Sequence, residues 1–324
     1  MKVERIIPIK ITKRDAAKYI KIIAREQGLD VAEIKCLGGG SFGMAYLVKT
    51  SNDEFVIKFL RATDMLNSEI TSLDILSKNC PIPFPKVLFV RKADNDIPLD
   101  MYAMTKVVGK NAFTSFGFLL ASKKKRMQFA DEVSTALHQI HEVKNNKFGS
   151  ILNATYNTWL EYYRDFAITI LEKARELHSN NQLSNKIMQA MENAWTCFDV
   201  IFSEEVRDAC LIHGDLNLAN IFIDNGKLSA FIDPLNTMYA DREYDLFQFN
   251  NLTGKRFKLS QTYIEKYGAS KYCKEKLAFY GLWNEVFCYI KSGVLVNVIM
   301  NPLVKNMNKV VKSLLPYCLP ALQD

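Results

Sequence analysis

The sequence predicts an α+β chain of two lobes, a small antiparallel-sheet lobe followed by a larger helical one. Three observations carry that expectation. Between about residues 30 and 108, short apolar runs alternate with Gly, Asn and Asp turns, the texture of paired strands. From about 117 to 209, and again from about 241 onward, apolar residues recur at helical spacing. A compact strand–turn–strand block at 210–235 interrupts the helical part. The expected units are therefore 1–106 and 107–324, two being natural for 324 residues.

Each element has its own signal. Ala16, Tyr19, Ile20 and Ile23 share one stripe of a helix over 12–28, which Gly28 ends. Residues 32–37, 44–49 and 54–60 read as strands of a meander, linked by the glycine-rich stretch 38–43 and the turn Thr50-Ser51-Asn52-Asp53. Helical spacing returns over 65–78, with Ile70, Leu73 and Leu76 on one side, until Pro81, Pro83 and Pro85 break it. Strands at 86–91 and 101–108 complete the sheet. In the second lobe, Asn225-Gly226 is a strong hairpin turn between apolar runs.

Composition excludes several classes. With 48% hydrophobic and 24% charged residues, the chain can bury a core, so disorder is not expected. The net charge of +7 invites a nucleic-acid or membrane partner. Its distribution argues otherwise. Residues 251–324 carry eleven basic and four acidic residues, and the remainder balances 31 against 31. The excess is local and reads as a solvated face, so neither nucleic acid nor membrane is expected. The seven cysteines form no C-x-x-C pair, and their odd number suits reduced thiols. Met1 to Arg5 opens no apolar leader, and the run 277–300 is interrupted by Glu285 and Lys291. A cytoplasmic protein is expected.

Three motifs carry chemistry. Gly38-x-Gly40-Ser41-Phe42-Gly43 lies between two strands, where glycines let backbone N–H groups approach phosphate oxygens. The dinucleotide-binding version needs a helix immediately afterwards, and 44–49 reads as a strand instead. The setting suits the loop that covers ATP phosphates in kinases. Next comes Lys58, inside the apolar strand Val56-Ile57-Lys58. Such a lysine needs an acidic partner; Glu69 on the following helix is the first candidate, with Glu54, Asp64 and Asp74 as alternatives. The most specific motif is His213-Gly214-Asp215-Leu216-Asn217-Leu218-Ala219-Asn220, followed across the hairpin by Asp233-Pro234. The hairpin brings Asn220 and Asp233 to one open end beside Asp215. Oxygen ligands there suit Mg²⁺, and the spare carboxylate can take a hydroxyl proton.

The H-G-D-x-x-x-x-N block and the following I-D-P resemble the aminoglycoside phosphotransferase and choline kinase superfamily of small-molecule kinases. The resemblance implies the bilobal protein-kinase fold and a small-molecule acceptor, since H-R-D, D-F-G and A-P-E are absent. Lys147-Phe148-Gly149 with Trp159, and Met238 to Leu246, are similar to the fructosamine kinase branch, although Ala240 and Asp241 replace its Gly-His. By resemblance, ATP and Mg²⁺ are the cofactors. The loop of Gly38, Gly40, Ser41, Phe42 and Gly43 would cover phosphates, and Lys58 paired with Glu69 would touch them. Met104, Thr105, Lys106 and Val107 would receive adenine. Asp215 would be the base, His213 would support its loop, and Asn220 and Asp233 would hold Mg²⁺. Asp245 would brace that loop or the acceptor pocket, where Arg242 and Trp159 are further candidates. At helical spacing Trp159, Tyr162, Tyr163 and Phe166 equally read as core, and His138 and His141 as packing residues rather than a metal pair. A ketosamine-like acceptor is expected first. An aminoglycoside phosphotransferase and a non-catalytic nucleotide-binding pseudokinase are the alternatives.

Overall fold

The computed structural model describes residues 3–251 and 254–318; Met1, Lys2 and Asp324 lie outside them. Helix α1 (Lys13–Glu26) starts at a capping box. Thr12 Oγ1 accepts the Asp15 N–H at 3.1 Å, and the Asp15 carboxylate accepts the Thr12 N–H at 3.0 Å. Its buried face of Ala16, Ile20 and Ile23 packs on the first sheet. That sheet contains β1 (Val31–Gly39), β2 (Gly43–Thr50), β3 (Glu54–Leu60), β4 (Val87–Arg91) and β5 (Met101–Thr105), with α2 (Leu66–Asn79) between β3 and β4. The spatial order is β1-β2-β3-β5-β4, all antiparallel, as the turn signals require. Strand β5 stops at Thr105, three residues short of the sequence expectation. Its partner β3 begins opposite at Glu54 and Phe55, so the chain beyond has no ladder to continue.

The second lobe is helical with two small sheets set into it. Its elements are β6 (Lys110–Asn111), α3 (Phe116–Leu119), α4 (Lys123–His141), β7 (Lys144–Asn145), β8 (Phe148–Ser150), β9 (Asn153–Tyr156), α5 (Trp159–Ser179), α6 (Asn185–Trp195) and α7 (Phe198–Ile201). Strands β10 (Ala209–Ile212), β11 (Ile221–Asp224), β12 (Lys227–Phe231) and β13 (Met238–Ala240) follow. A 3₁₀ segment, Arg242–Asn250, then leads to α8 (Gly254–Phe257), α9 (Leu259–Tyr267), α10 (Cys273–Ser292) and α11 (Asn297–Cys318). Helical spacing over 117–209 gives no sign of β7, β8 and β9, which are two to four residues long and too short to show a period.

The block 210–235 is likewise divided. Strands β11 and β12 form the expected hairpin, with β6 added at its edge, while β10 pairs with β7 and β13 in the other sheet. The chain leaves one sheet and enters the other at His213–Asn220, which frees this segment to serve as a loop between them. Two cores support the arrangement. Trp159, Phe279, Tyr280 and Trp283 anchor α5 to α10, while Phe129, Phe231, Phe249 and Phe257 fill the space beneath the hairpin. Full burial of such side chains contributes about 1.5–3 kcal/mol each, so the loop between the sheets rests on a rigid base.

Candidate active site

Lys58 sits on the central strand β3, and the register places Tyr102 of β5 directly beside it. The Lys58 ammonium donates to Glu69 Oε2 at 2.7 Å and to Asp233 Oδ1 at 2.6 Å. Tyr102 donates its hydroxyl to the same Glu69 oxygen at 2.7 Å. Lys58 and Glu69 are nearly sealed, with 12% and 6% of their side chains exposed, whereas Asp233 is 43% exposed and opens to the cleft. Burial works against the Lys58 charge, but Asp233, Tyr102 and Glu69 together outweigh it and raise the ammonium well above its ordinary range. The lysine therefore keeps its charge, and it ties the sheet lobe to the hairpin of the helical lobe.

Two glycines stand where another chain group comes close. A Cβ on Gly43 would stand 2.7 Å from Lys58 Cε, so a side chain there would make the lysine stem shift from its path to its acids. Gly214 has φ +79, and a Cβ there would lie 2.1 Å from Asn236 O.

The segment after β10 is held by Asp245. This fully buried carboxylate accepts the His213 N–H at 2.8 Å and the Gly214 N–H at 2.6 Å, and it also bonds His141 Nε2 at 3.1 Å. His141 in turn meets the Tyr263 hydroxyl at 2.6 Å, linking the loop to α9. The His213 ring is buried; its Nε2–H donates to Ile232 O at 3.1 Å and its Nδ1 accepts the Asp215 N–H at 3.3 Å. Burial lowers the pKa of this imidazole, consistent with the neutral form that this bonding pattern requires. His213 thus positions the loop and presents no atom to the cleft.

Asp215 receives Asn217 Nδ2 on Oδ1 and Asn220 Nδ2 on Oδ2, each at 3.2 Å, and Asn220 also bonds Asp215 O at 2.7 Å. Burial, with the Asp233 charge second, pushes its carboxyl up to about 7. Asp233 goes the other way, held below the usual carboxylate range mainly by Lys58. Two neighbouring carboxylates are thereby set to different protonation behaviour, a pattern common at catalytic sites. Asp233 also has φ +56, a costly conformation for a non-glycine residue, maintained by the Ile232 N–H to Asn220 O bond and the lysine contact.

A family model described as the phosphotransferase enzyme family matches residues 33–280, about three quarters of the chain and all of the geometry above. The chain belongs to this phosphotransferase family. It is a small-molecule kinase with the bilobal fold. Among curated relatives, a probable ketoamine kinase of Staphylococcus aureus is 24% identical over 284 residues, covering 82% of this chain and 89% of its own length. An Escherichia coli aminoglycoside 3'-phosphotransferase is 24% identical over 230 residues, covering 68% and 76%. Solved structures with the same fold include aminoglycoside phosphotransferase APH(4)-Ia in a ternary complex with ADP and hygromycin B. It has a TM-score of 0.66 at 17% identity and covers 90% of this chain and 97% of that one. A GDP complex of an aminoglycoside 2'-phosphotransferase superposes with a TM-score of 0.69 at 15% identity, covering 93% and 99%.

In this phosphotransferase the fold brings Lys58, Glu69, Asp215, Asn220 and Asp233 together, whereas Glu54 pairs with Lys106 and Asp74 with Lys78, and Asp64 forms no ion pair with Lys58 among the described residues. The glycine-rich loop closes on itself through the Gly40 N–H to Gly43 O bond at 3.0 Å. At the end of β5 the Thr105 N–H is spent on Lys86 O at 2.9 Å, and Lys106 pairs with Glu54. Of the three further candidates, Trp159 and Arg242 lie away from a pocket wall, and Asp245 braces the loop, the first of its two expected places. Trp159 is buried in the core and donates its indole N–H to Tyr280 at 2.8 Å, because the helical spacing that suggested a pocket wall faces α10. Arg242 caps the end of α9 through Tyr267 O and Gly268 O. Asp245 uses both oxygens on the loop backbone.

Several contributors escape a sequence reading. Tyr102, His141 and Tyr263 act through contacts between distant elements, and their own neighbourhoods carry no motif; Asn217 lies inside the His213–Asn220 motif, but its bond to Asp215 Oδ1 is seen only in the structure. A buried network of Lys276 with Asp241 (2.5 Å) and Glu243 (2.7 Å) is similar in kind. It fastens α10 to the start of the 3₁₀ segment that carries Asp245, and Asp241 within it is one of the two positions that depart from the fructosamine kinase pattern.

Proposed function

We propose that the chain transfers the γ-phosphoryl group of ATP, in the presence of Mg²⁺, to a hydroxyl of a ketosamine-type sugar amine. The observation that carries this reading is the convergence of Lys58, Asn220, Asp233 and Asp215 at the open end of one hairpin. Lys58 would contact the α- and β-phosphates once nucleotide draws it from Asp233, with Gly38–Gly43 closing over them. Adenine would sit against Met104 to Val107. For Mg²⁺, the residues fit: Asp233 Oδ2 and Asn220 Oδ1 accept no hydrogen bond among the described residues, and two oxygen donors plus phosphate is a set magnesium favours. Bound there, the ion would neutralise charge on the transferring phosphates. Asp215 would accept the proton of the acceptor hydroxyl as that oxygen bonds to the γ-phosphorus and ADP departs with the electron pair of the broken P–O bond.

The charge map favours a singly charged amine over a polycation. The lysines behind the net charge include Lys305, Lys309 and Lys312, which line a concavity with Lys186 on the α6–α11 face. The match to the ketoamine kinase is also the longer of the two curated ones. Free thiols and ATP use fit a cytoplasmic setting. A panel of ketosamines, aminoglycosides, choline and simple sugars, read by ADP release, tests the ranking. Preferred turnover of an aminoglycoside would overturn it.

Two further outcomes follow from the site. A base must be ionised to accept a proton, so kcat/KM should rise with pH through about 7 and then level, tracking the raised Asp215 pKa of the free enzyme. A profile already flat from pH 5 would contradict the assignment. In Gly43→Ala the new methyl displaces Lys58 from its acids. Nucleotide affinity, measured by calorimetry, should drop about tenfold, the scale of one charge-assisted contact. Moving Lys58 also leaves Glu69 without its ammonium, so the melting temperature should fall, while an unchanged circular-dichroism spectrum would show that the fold is kept.

A further inference from the structure

Residues 3–12 belong to no helix or strand, yet both lobes hold them. At one end Val3 is buried in the helical core, and the Ile6 N–H donates to Lys291 O at 2.8 Å. That carbonyl lies in the last turn of α10, where the helix itself supplies no partner. The Arg5 guanidinium lies against Gly293, so close that a Cβ there would be 2.2 Å from Nη2, and its charge meets the negative end of α10. At the other end the segment joins the sheet lobe. The Ile9 N–H donates to Arg61 O at 2.8 Å, and Arg61 Nε returns a bond to Ile9 O at 3.1 Å.

Arg61 follows β3 directly and has further contacts. Its Nη1 donates to Gly40 O at 3.2 Å and its backbone N–H to Phe42 O at 2.7 Å. One residue therefore holds the N-terminal segment and two carbonyls of the glycine-rich loop. The connection has little slack. Ile6 and Ile9 are three residues apart, at most about 10 Å of chain, and Pro8 between them restricts both its own φ and the conformation of Ile7. Ile7 itself is 85% exposed, so packing does not explain the path.

We infer that residues 3–11 are a strap through which α10 sets the position of the glycine-rich loop, with Arg61 as the positioning residue at the loop end. A shift of α10 then moves the loop over the nucleotide, independently of the chain connection between the lobes near residue 106.

The test breaks the strap at its α10 end and reads the loop. Arg5→Ala removes the guanidinium, and Ile6→Pro removes the single N–H bonded to Lys291. Neither residue touches the loop. Hydrogen exchange at the Gly40 and Arg61 amides should quicken about fivefold in each full-length variant, the scale of one ordinary hydrogen bond. This readout requires neither an acceptor nor turnover, so it stands apart from the fate of the proposed reaction. With ADP as probe, binding should weaken in the same variants, and KM for ATP should rise while kcat holds. Arg61→Ala should reproduce this from the loop end, and Arg61→Lys should recover part of it. Faster exchange confined to 289–293, with the loop amides and ADP affinity unchanged, would show that the strap is only a helix cap and overturn the inference. Should Ile6→Pro fail to fold, Arg5→Ala decides the matter by the same two readouts.

Discussion

Asp215→Asn is expected to lose about 10²- to 10⁴-fold in kcat, the usual contribution of a positioned general base, while binding ADP as tightly as the parent. The geometry explains the separation. Asp215 is held by Asn217 and Asn220, and among the described residues no hydrogen bond joins it to Lys58 or to the glycine-rich loop. An amide is nearly isosteric, so the loop and its Asp245 clamp should stay in place. The variant should also change stability in a defined direction. The folded-state carboxyl is raised to about 7 from an ordinary 3.8, so the folded protein binds the extra proton between those values. Its stability is therefore eroded as pH rises through that window and is lowest above it. Asp215→Asn removes the erosion. Its melting temperature relative to the parent should be higher at pH 8 than at pH 4. Equal differences at the two pH values would contradict the buried, raised carboxyl, and turnover near the parental level would remove Asp215 as base.

Lys58→Met is expected to have the second largest effect, and on two quantities at once. Glu69 is buried and depends on Lys58 and Tyr102, so deleting the ammonium strands its carboxylate. Breaking such a pair costs about 3–5 kcal/mol, which thermal melts would register directly. Asp233, more exposed, is relieved by water and contributes less. Turnover should fall by at least about a hundredfold, as when one fixed group that stabilises transition-state charge is removed. The double variant Lys58→Met/Glu69→Gln separates the effects. Glutamine can still accept from Tyr102 without an uncompensated charge, so stability should largely return while turnover stays low. Recovery of turnover with stability would mean that Lys58 is a structural ion-pair partner only.

How much of this was legible in the sequence depends on the range of each contact. The meander around Gly38–Gly43 and the hairpin at Asn225-Gly226 follow from local turn chemistry, and both appear where the turns place them. The grouping of Asn220, Asp233 and Asp215 follows from the hairpin alone. Lys58 and Glu69 are eleven residues apart, and a strand followed by a helix leaves few other partners. Beyond that range the signal fails. Asp245 reaches back 32 residues to His213, and His141 lies 104 residues from Asp245. No periodicity encodes such distances. Trp159 shows the converse: a motif-like position on α5 whose spacing points equally to core and pocket, with packing against Tyr280 deciding for core. The strap was invisible for a different reason. Its bonds are made by backbone groups and by Arg61, whose identity announces nothing until the loop carbonyls are seen beside it.

The central claim is that this hairpin end is a phosphoryl-transfer site for a sugar amine, with Asp215 taking the proton. Phosphorus NMR of the parent with Mg·ATP and a ketosamine tests it most directly. The account predicts a new phosphomonoester signal growing with ADP, absent on the same timescale from Asp215→Asn. Nucleotide binding without any ester, or an ester formed equally by Asp215→Asn, would contradict it.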